Sequence, residues 1–286
     1  MSTNQGAASV KFMTKAYKFR PNKRLGQHFL KDPKIIRGII EGTSFSESDH
    51  ILEIGAGLGA LTIPLAKYVN KITAVEKDHR LVDMLQKKIS DAGITNVRLI
   101  HGDILTLDWG RLRGGPAEKI EIVGNLPYNI SSPLMERLFR YRDFIDRAVL
   151  MFQYEFAKRL LSPPNKKDYG AITVLLRYHA SVSPVLEIPR EAFYPKPKVG
   201  SMVLSIDMDK PHPRRAENEA VFKNVVKAAF AHRRKTILNS LRRALTSHDV
   251  AEISGALESC SIESMRRAET LEIDEFLCLA DALLDE

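Results

Sequence analysis

Long apolar runs and cysteines are scarce in this chain of 286 residues. No apolar run approaches the roughly 18 positions that a membrane-spanning helix needs, and no signal-peptide core precedes a cleavage-like site. Cys260 and Cys278 lie in apolar helical surroundings, and they predict neither a disulfide framework nor a metal cluster. We therefore expect a cytoplasmic protein without a membrane partner and without a metal.

Acidic residues are absent from two stretches, although the chain holds 35 Asp and Glu against 43 Lys and Arg. The first stretch predicts a flexible basic arm over residues 1–23, for which an RNA contact, a soluble tail and an organelle transit peptide are the alternatives. The second runs from Val221 to Leu245. It predicts an RNA-facing surface in which Arg233, Arg234 and Lys235 contact phosphates. The alternative there is the solvated face of an amphipathic helix.

The Pro-rich stretch Lys210–Pro213 divides the chain. Before it, apolar runs alternate with helical patterns, which is typical of a mostly parallel sheet covered by helices, and 24–209 are expected to form this α/β domain. Ala171–Tyr178 and Met202–Ile206 are interpreted as its closing strands. Beyond the boundary the apolar residues recur at helical spacing, so 210–286 are expected to form a small all-helical domain.

A glycine loop follows the first buried strand, Ile51–Ile54. Gly55-Ala56-Gly57-Leu58-Gly59 allows a tight turn and a close approach of the backbone to a ligand. Glu76 ends the next strand, at about the distance where a carboxylate that binds ribose is expected. Taken alone, this loop also fits a nicotinamide cofactor. Glu53 ahead of the first glycine, and Asp103 after the strand that follows, favour S-adenosylmethionine instead.

The stretch Asn125-Leu126-Pro127-Tyr128 follows the apolar run Ile120–Gly124. A strand end with an amide, a carbonyl, a rigid proline and an aromatic ring suits the binding of an exocyclic amine on a flat base. The Asn125 oxygen and the Leu126 carbonyl are placed to accept the two N6 hydrogens of adenine, while Pro127 fixes the turn and Tyr128 stacks on the ring. An ordinary turn is the alternative, because Asn and Pro are common turn formers.

A Pro-rich loop, Phe193–Ser201, carries an aromatic residue at its head. Its sequence, Phe-Tyr-Pro-Lys-Pro-Lys-Val-Gly-Ser, predicts an extended, semi-rigid segment. Together with the stretch that begins at Asn125, and in this order after a glycine loop, it resembles the ribosomal RNA adenine dimethyltransferases. Within that family the small-subunit enzymes are the most similar, and the resemblance runs from about Arg24 to the C-terminus.

The resemblance implies a Rossmann-like S-adenosylmethionine-dependent methyltransferase domain with a small C-terminal all-helical domain. It implies S-adenosylmethionine as cofactor and a target adenine sandwiched between Tyr128 and Phe193. The segment Leu25–Asp32 matches the one that closes over the cofactor in this family, although His28 stands where members often have asparagine. The implied cofactor-binding residues are His28, Leu30, Gly55, Gly57, Glu76, Asp103 and Asn125. The implied catalytic residues are Asn125, Leu126, Pro127, Tyr128 and Phe193.

By resemblance, the reaction is the N6-dimethylation of two adjacent adenines in the 3′-terminal hairpin loop of small-subunit (16S) ribosomal RNA. The expected partner is this RNA within a pre-ribosomal particle, and the enzyme is expected to act as a monomer during ribosome assembly. Three alternatives stay open. They are a large-subunit (23S) RNA dimethyltransferase that confers macrolide resistance, a non-catalytic assembly or transcription factor on the same scaffold, and a nicotinamide oxidoreductase.

Overall fold

The computed structural model describes residues 20–113, 115 and 118–284, so residues 1–19 of the predicted basic arm lie outside the described part of the chain. The chain divides into two compact units. Unit 1 holds the residues up to Ala157 together with Ser183–Asp209. Unit 2 holds Lys158–Val182 and the residues from Lys210 onward.

Among the described residues, nine strands and four helices belong wholly or largely to unit 1, and a fifth helix, α5, spans the boundary between the units. The strands are β1 (Phe29–Leu30), β2 (His50–Ile54), β3 (Lys71–Glu76), β4 (Val97–His101), β5 (Ile120–Asn125), β6 (Ile145–Gln153), β7 (Ser181–Ile188), β8 (Phe193–Tyr194) and β9 (Ser201–Asp207). The helices are α1 (Pro33–Thr43), α2 (Thr62–Leu65), α3 (His79–Asp91), α4 (Ser131–Arg140) and α5 (Tyr154–Leu161).

Seven of these strands form one sheet in the order β4-β3-β2-β5-β6-β9-β7. The pairs among β4, β3, β2, β5 and β6 are parallel, and β9 runs antiparallel to β6. All five residues of β2 are buried, as expected for a parallel strand covered on both faces. Because the strands are parallel, β2, β3, β4 and β5 end at the same edge of the sheet. The loops that carry the predicted site residues therefore start side by side.

Helices α1 and α3 start at side-chain caps that the sequence supplies. The Asp32 carboxylate accepts from the Lys34 N–H, and the Asp78 carboxylate accepts from the Arg80 N–H. Such caps satisfy main-chain donors that a helix leaves without an internal partner. The Asp78 cap fixes the start of α3 directly after β3, next to the glycine loop.

Unit 2 contains five further helices, α6 (Ala171–His179), α7 (Glu219–Phe230), α8 (Ile237–Ala244), α9 (Val250–Ser259) and α10 (Ile273–Ala282). The expectation that Ala171–Tyr178 is a strand is wrong, because this segment is helix α6. Most of its residues are buried, so the apolar pattern gave no period by which a helix could be distinguished from a strand.

Residues 158–182 also belong to a different unit from the one expected. The sequence predicts them within the 24–209 domain, whereas they cluster with the C-terminal helices. The physical reason is packing. The Tyr178 ring of α6 lies 4.5 Å from the Phe222 ring of α7, and Tyr169 packs edge-on against Phe230. Burial of these large rings fixes the segment to unit 2.

The two cysteines predict no disulfide framework, yet the structure joins them. Cys260 at the end of α9 and Cys278 within α10 are joined by a disulfide, with 5.8 Å between their Cα atoms. Their spacing of 18 positions did not predict the pair, because only the packing of the two helices brings the Cα atoms within bridging distance. None of the helices in the described ranges is both long and apolar enough to cross a membrane.

Candidate active site

A cavity of about 330 Å³ opens in unit 1 where the parallel strands end. It is lined by the Leu25–Lys31 segment, the glycine loop, the ends of β3 and β5, and the turn after β4. Every predicted cofactor-binding residue lies in this lining: His28, Leu30, Gly55, Gly57, Glu76, Asp103 and Asn125. Of the predicted catalytic residues, Asn125, Leu126 and Pro127 line it, whereas Tyr128 and Phe193 do not.

The glycine loop is held in a conformation that side chains disfavour. Gly55, Gly57 and Gly59 have φ values of 75°, 56° and 79°. The N–H groups of Gly55 and Ala56 both donate to the Val75 carbonyl, which ties the loop to the end of β3. Left-handed backbone favours glycine at these positions, and the missing side chains leave the main chain open to a ligand.

Glu76 at the end of β3 connects this loop to helix α3. One of its carboxylate oxygens accepts from the Gly57 N–H at 2.8 Å, and the other accepts from the Asp78 N–H at 2.8 Å. The side chain is almost fully buried, and burial raises its pKa. Each oxygen keeps a second lone pair, so the carboxylate can also accept from the two hydroxyls of a ribose.

Asp103 lies in the turn after β4 and is paired with Lys77. The Lys77 ammonium lies 2.7 Å from Asp103 Oδ2, and Oδ1 accepts from the Leu105 N–H. Burial alone raises the pKa of this carboxyl, but the Lys77 and Leu105 donors outweigh it and lower the pKa. Asp103 therefore stays ionised and is an acceptor at the cavity wall.

Two residues outside the predicted set also line the cavity. Glu53 is fully buried, and burial, with a contribution from the Glu76 charge, raises its pKa to about 8. Its Oε2 atom has no hydrogen-bond partner among the described residues. Lys88 of α3 reaches back and donates to the Leu58 carbonyl at 2.6 Å. The Glu-x-Gly-x-Gly-x-Gly pattern pointed to Glu53, whereas no local signal singled out Lys88.

The polar groups of the cavity fit S-adenosylmethionine, the cofactor expected from the sequence. Glu53, Glu76 and Asp103 line the cavity with carboxyl groups. A bound ammonium would favour the ionised form of Glu53, and its orphaned oxygen would then accept from that cation. These carboxyl groups supply no cation for the two negative charges of a nicotinamide dinucleotide pyrophosphate. Three lysines also line the cavity, Lys31, Lys77 and Lys88, of which Lys77 pairs with Asp103 and Lys88 donates to the Leu58 carbonyl.

Asn125 at the end of β5 is oriented by a distant segment. Its amide nitrogen donates to the His28 carbonyl at 3.0 Å. A carbonyl only accepts hydrogen bonds, so the nitrogen faces His28 and the Asn125 oxygen remains an acceptor. The turn that follows is closed by the Ile130 N–H, which donates to the Pro127 carbonyl.

The His28 side chain links two further predicted segments. Its Nδ1 atom lies 2.7 Å from the Pro195 carbonyl in the Pro-rich loop, so Nδ1 carries the hydrogen. Its ring stacks on Tyr128, with the ring centroids 5.4 Å apart. The Tyr128 hydroxyl lies 3.1 Å from the Ser201 hydroxyl, and burial raises the pKa of Tyr128.

The expected sandwich of Tyr128 and Phe193 is not present in this structure. The Phe193 ring is 1% exposed and belongs to the core of unit 1. The reason is strand alternation. In the two-stranded sheet of β1 and β8, Phe193 pairs with Leu30 and Tyr194 pairs with Phe29. The Phe193–Leu30 pair faces the core, and Phe29, with Tyr194 packed against it, contributes to a second apolar cluster.

The predicted RNA-contacting residues Arg233, Arg234 and Lys235 belong to unit 2. They occupy the exposed turn between α7 and α8, rather than the face of a helix. The Arg233 guanidinium donates to the Lys167 carbonyl. Across the described ranges, no group of three or more His, Cys, Asp and Glu is arranged to hold a metal ion.

Residues 18–281 of the chain match a family model described as ribosomal RNA adenine dimethylase. A ribosomal RNA small subunit methyltransferase A from Desulforapulum autotrophicum is 42% identical over 271 residues, which is 95% of each chain. The protein of the same name from Shouchella clausii is 38% identical over 280 residues, 96% of this chain and 94% of the relative.

Two solved structures have the same fold over most of the chain. A dimethyladenosine transferase from Plasmodium falciparum aligns with a TM-score of 0.72 at 27% identity, covering 88% of this chain and 95% of the other. The 23S rRNA methyltransferase ErmE aligns with a TM-score of 0.67 at 26% identity, covering 89% and 99%.

Proposed function

The chain belongs to the ribosomal RNA adenine dimethylase family, and from this premise we propose that it dimethylates N6 of two adjacent adenines in the 3′-terminal hairpin loop of small-subunit ribosomal RNA. It is a methyltransferase, and S-adenosylmethionine is its cofactor. One observation carries the proposal. The Asn125 amide is oriented by the His28 carbonyl so that its oxygen remains an acceptor at the cavity wall.

The residues of the site act by orientation and desolvation. The lone pair of adenine N6 is delocalised into the ring, so the amine becomes a nucleophile only when it is held and stripped of water. The Asn125 oxygen and the Leu126 carbonyl accept its two hydrogens, and Pro127 keeps the turn rigid. When bound, S-adenosylmethionine supplies an electrophilic methyl group with its own leaving group.

The target adenine must leave its stack to reach this wall, which costs less in a loop than in a duplex. Tyr128 is the aromatic residue placed to receive it, since it lies in the same turn as Asn125 and its ring is oriented by stacking on His28. The proton released from N6 passes to solvent, so the mechanism needs no dedicated general base.

The small-subunit assignment rests on the relatives. Proteins named small subunit methyltransferase A are 35–42% identical over nearly the whole chain, whereas the 23S enzyme is 26% identical. We further propose that the substrate is a small-subunit precursor particle, that the enzyme acts on it as a monomer, and that it works in the cytoplasm.

Labelled S-adenosylmethionine tests the proposal. Purified protein is incubated separately with small-subunit and large-subunit precursor particles, and the modified base is mapped, with Asn125→Ala as the inactive control. We expect label on two adjacent adenines of the small-subunit RNA only. Label on a large-subunit adenine contradicts the small-subunit assignment. Binding to particles without any methyl transfer supports a non-catalytic assembly role.

A further inference from the structure

Three loops of unit 2 that are distant in sequence are tied together by hydrogen bonds. They are the loop 162–168 before α6, the turn 231–235 between α7 and α8, and the loop 263–267 after α9. Arg233 in the turn donates to the Lys167 carbonyl in the first loop. The Ile237 N–H, at the start of α8 just after the turn, donates to the Arg266 carbonyl in the third loop at 2.7 Å. The Asn165 N–H in the first loop donates at 2.8 Å to the carbonyl of Glu269, which lies just after the third loop. The loops therefore form one surface.

This surface is anchored by a buried aromatic residue. Tyr169, at the end of the first loop, is 1% exposed and packs edge-on against Phe230, the last residue of α7. Its hydroxyl donates to the Leu271 carbonyl at 3.1 Å, which holds the segment after the third loop. One side chain thus fixes all three loops, so their exposed side chains are presented on a preformed support.

Within the described ranges, five exposed cations on these loops lack carboxylate partners, whereas Arg266 of the third loop pairs with Glu275. Lys166, Lys167, Arg234, Lys235 and Arg267 are exposed, and none of them is within ion-pair distance of a carboxylate in the described part of the chain. Many other cations here are paired, as Lys119 and Arg214 are. Asp168, Glu263 and Glu269 lie on or beside the same loops, but they leave a positive excess on this surface.

We infer that Lys166, Lys167 and Arg267 join Arg233, Arg234 and Lys235 in a single phosphate-binding surface for the RNA backbone. The inference rests on the proposed function, and it adds two loops to the turn that the sequence singled out. Unpaired cations at the tips of three tied loops match a ligand whose negative charges are regularly spaced. The Arg233 guanidinium keeps further N–H donors beyond its bond to Lys167, so it also serves this surface.

The test removes charge at the two added loops. Lys166→Gln/Lys167→Gln and Arg267→Gln are compared with Lys34→Gln/Lys67→Gln, which removes two exposed cations from unit 1. Affinity for the small-subunit particle and for its protein-free RNA is measured between 0.05 and about 0.2 M salt, together with KM and kcat for methyl transfer. Each lost phosphate contact weakens binding about five- to eightfold at 0.1 M salt and lowers the log–log slope by about 0.7–0.9.

We expect KM to rise at unchanged kcat in the surface variants, with the control pair unaffected and Lys166→Arg/Lys167→Arg close to wild type. Surface variants that bind both RNAs like the control pair overturn the inference. Weaker binding to the particle with unchanged binding to protein-free RNA assigns the surface to a ribosomal protein and overturns it as well. Absence of methyl transfer by the wild-type protein on small-subunit particles contradicts the proposed function instead.

Discussion

The Asn125 amide nitrogen donates a 3.0 Å hydrogen bond to the main-chain carbonyl of His28, a residue 97 positions earlier in the chain. This bond decides which end of the amide faces the cavity. It couples the strand end that is proposed to hold the target amine to the segment that lines the cofactor cavity. Substrate orientation and cofactor binding thus share one contact.

Replacement of Asn125 by alanine should lower turnover by about 100-fold or more, while RNA affinity changes little. The reason is that the amide oxygen orients N6 mainly in the transition state. Single-turnover methylation and RNA binding measured on the same preparation check this. The exposed residue Asn224, changed to alanine, is the matched control. Near-normal methylation by Asn125→Ala removes the residue from the mechanism.

His28→Ala should lower kcat, whereas His28→Asn should stay closer to wild type. An asparagine nitrogen occupies nearly the same place as the histidine Nδ1, so it can still donate to the Pro195 carbonyl. Alanine loses both this donor and the ring that stacks on Tyr128. Steady-state methylation by the two variants gives the comparison. Equal losses in both would show that the donor to Pro195 is unimportant.

Glu76→Ala should weaken S-adenosylmethionine binding by roughly 1–3 kcal/mol, because charge-assisted bonds to the ribose hydroxyls are lost. Calorimetry measures this, with exposed Glu47→Ala as control, and NAD should show no binding to either protein. A thermal melt checks that the loop contacts from Glu76 to Gly57 and Asp78 are not needed for folding. NAD binding without a response to S-adenosylmethionine would reverse the cofactor assignment.

Glu53 should make unit 1 less stable as the pH rises. Its pKa is raised from 4.5 to about 8, so the folded state binds a proton that the unfolded state has lost. The stability from this group is fully present below pH 4.5 and is lost as the pH rises through about 8.

Glu53→Gln keeps the shape of the side chain and cannot ionise. Compared with wild type, it should gain little stability at pH 5 and roughly 3–5 kcal/mol at pH 9. Trp109, the only tryptophan of the chain and fully buried in unit 1, reports urea unfolding by fluorescence. Parallel stability curves for variant and wild type across this pH range would refute the raised pKa.

Phe193→Ala should cost about 3–5 kcal/mol of stability, since the ring fills the core of unit 1. Tyr128→Ala should reduce methylation more than stability, because its partly buried ring is proposed to stack on the base at about 1–3 kcal/mol. Urea unfolding and methylation on both variants separate the roles. A stable Phe193→Ala protein with weak RNA capture would restore the sandwich expected from the sequence.

The sequence determined the methyltransferase fold of unit 1 and which residues meet at its cavity. Strand ends carry Glu76, Asp103 and Asn125, and the ends of neighbouring parallel strands must meet at one edge of the sheet. The glycine loop could also be predicted from the sequence, because glycine is the residue that adopts the left-handed φ angles found there. These features are local, or they follow from strand direction alone.

Only the tertiary structure decided the hydrogen-bond partners, the burial and the pKa values of these side chains. The Asn125–His28 bond, the raised pKa of Glu53 and the burial of Phe193 depend on groups that are far apart in sequence. The sequence predicts a strand where helix α6 lies, because most residues of this helix are buried and its apolar residues therefore show no helical spacing. The three-loop surface of unit 2 and the cysteine pair have the same origin. Long-range packing brings those residues together, and neither composition nor periodicity records it.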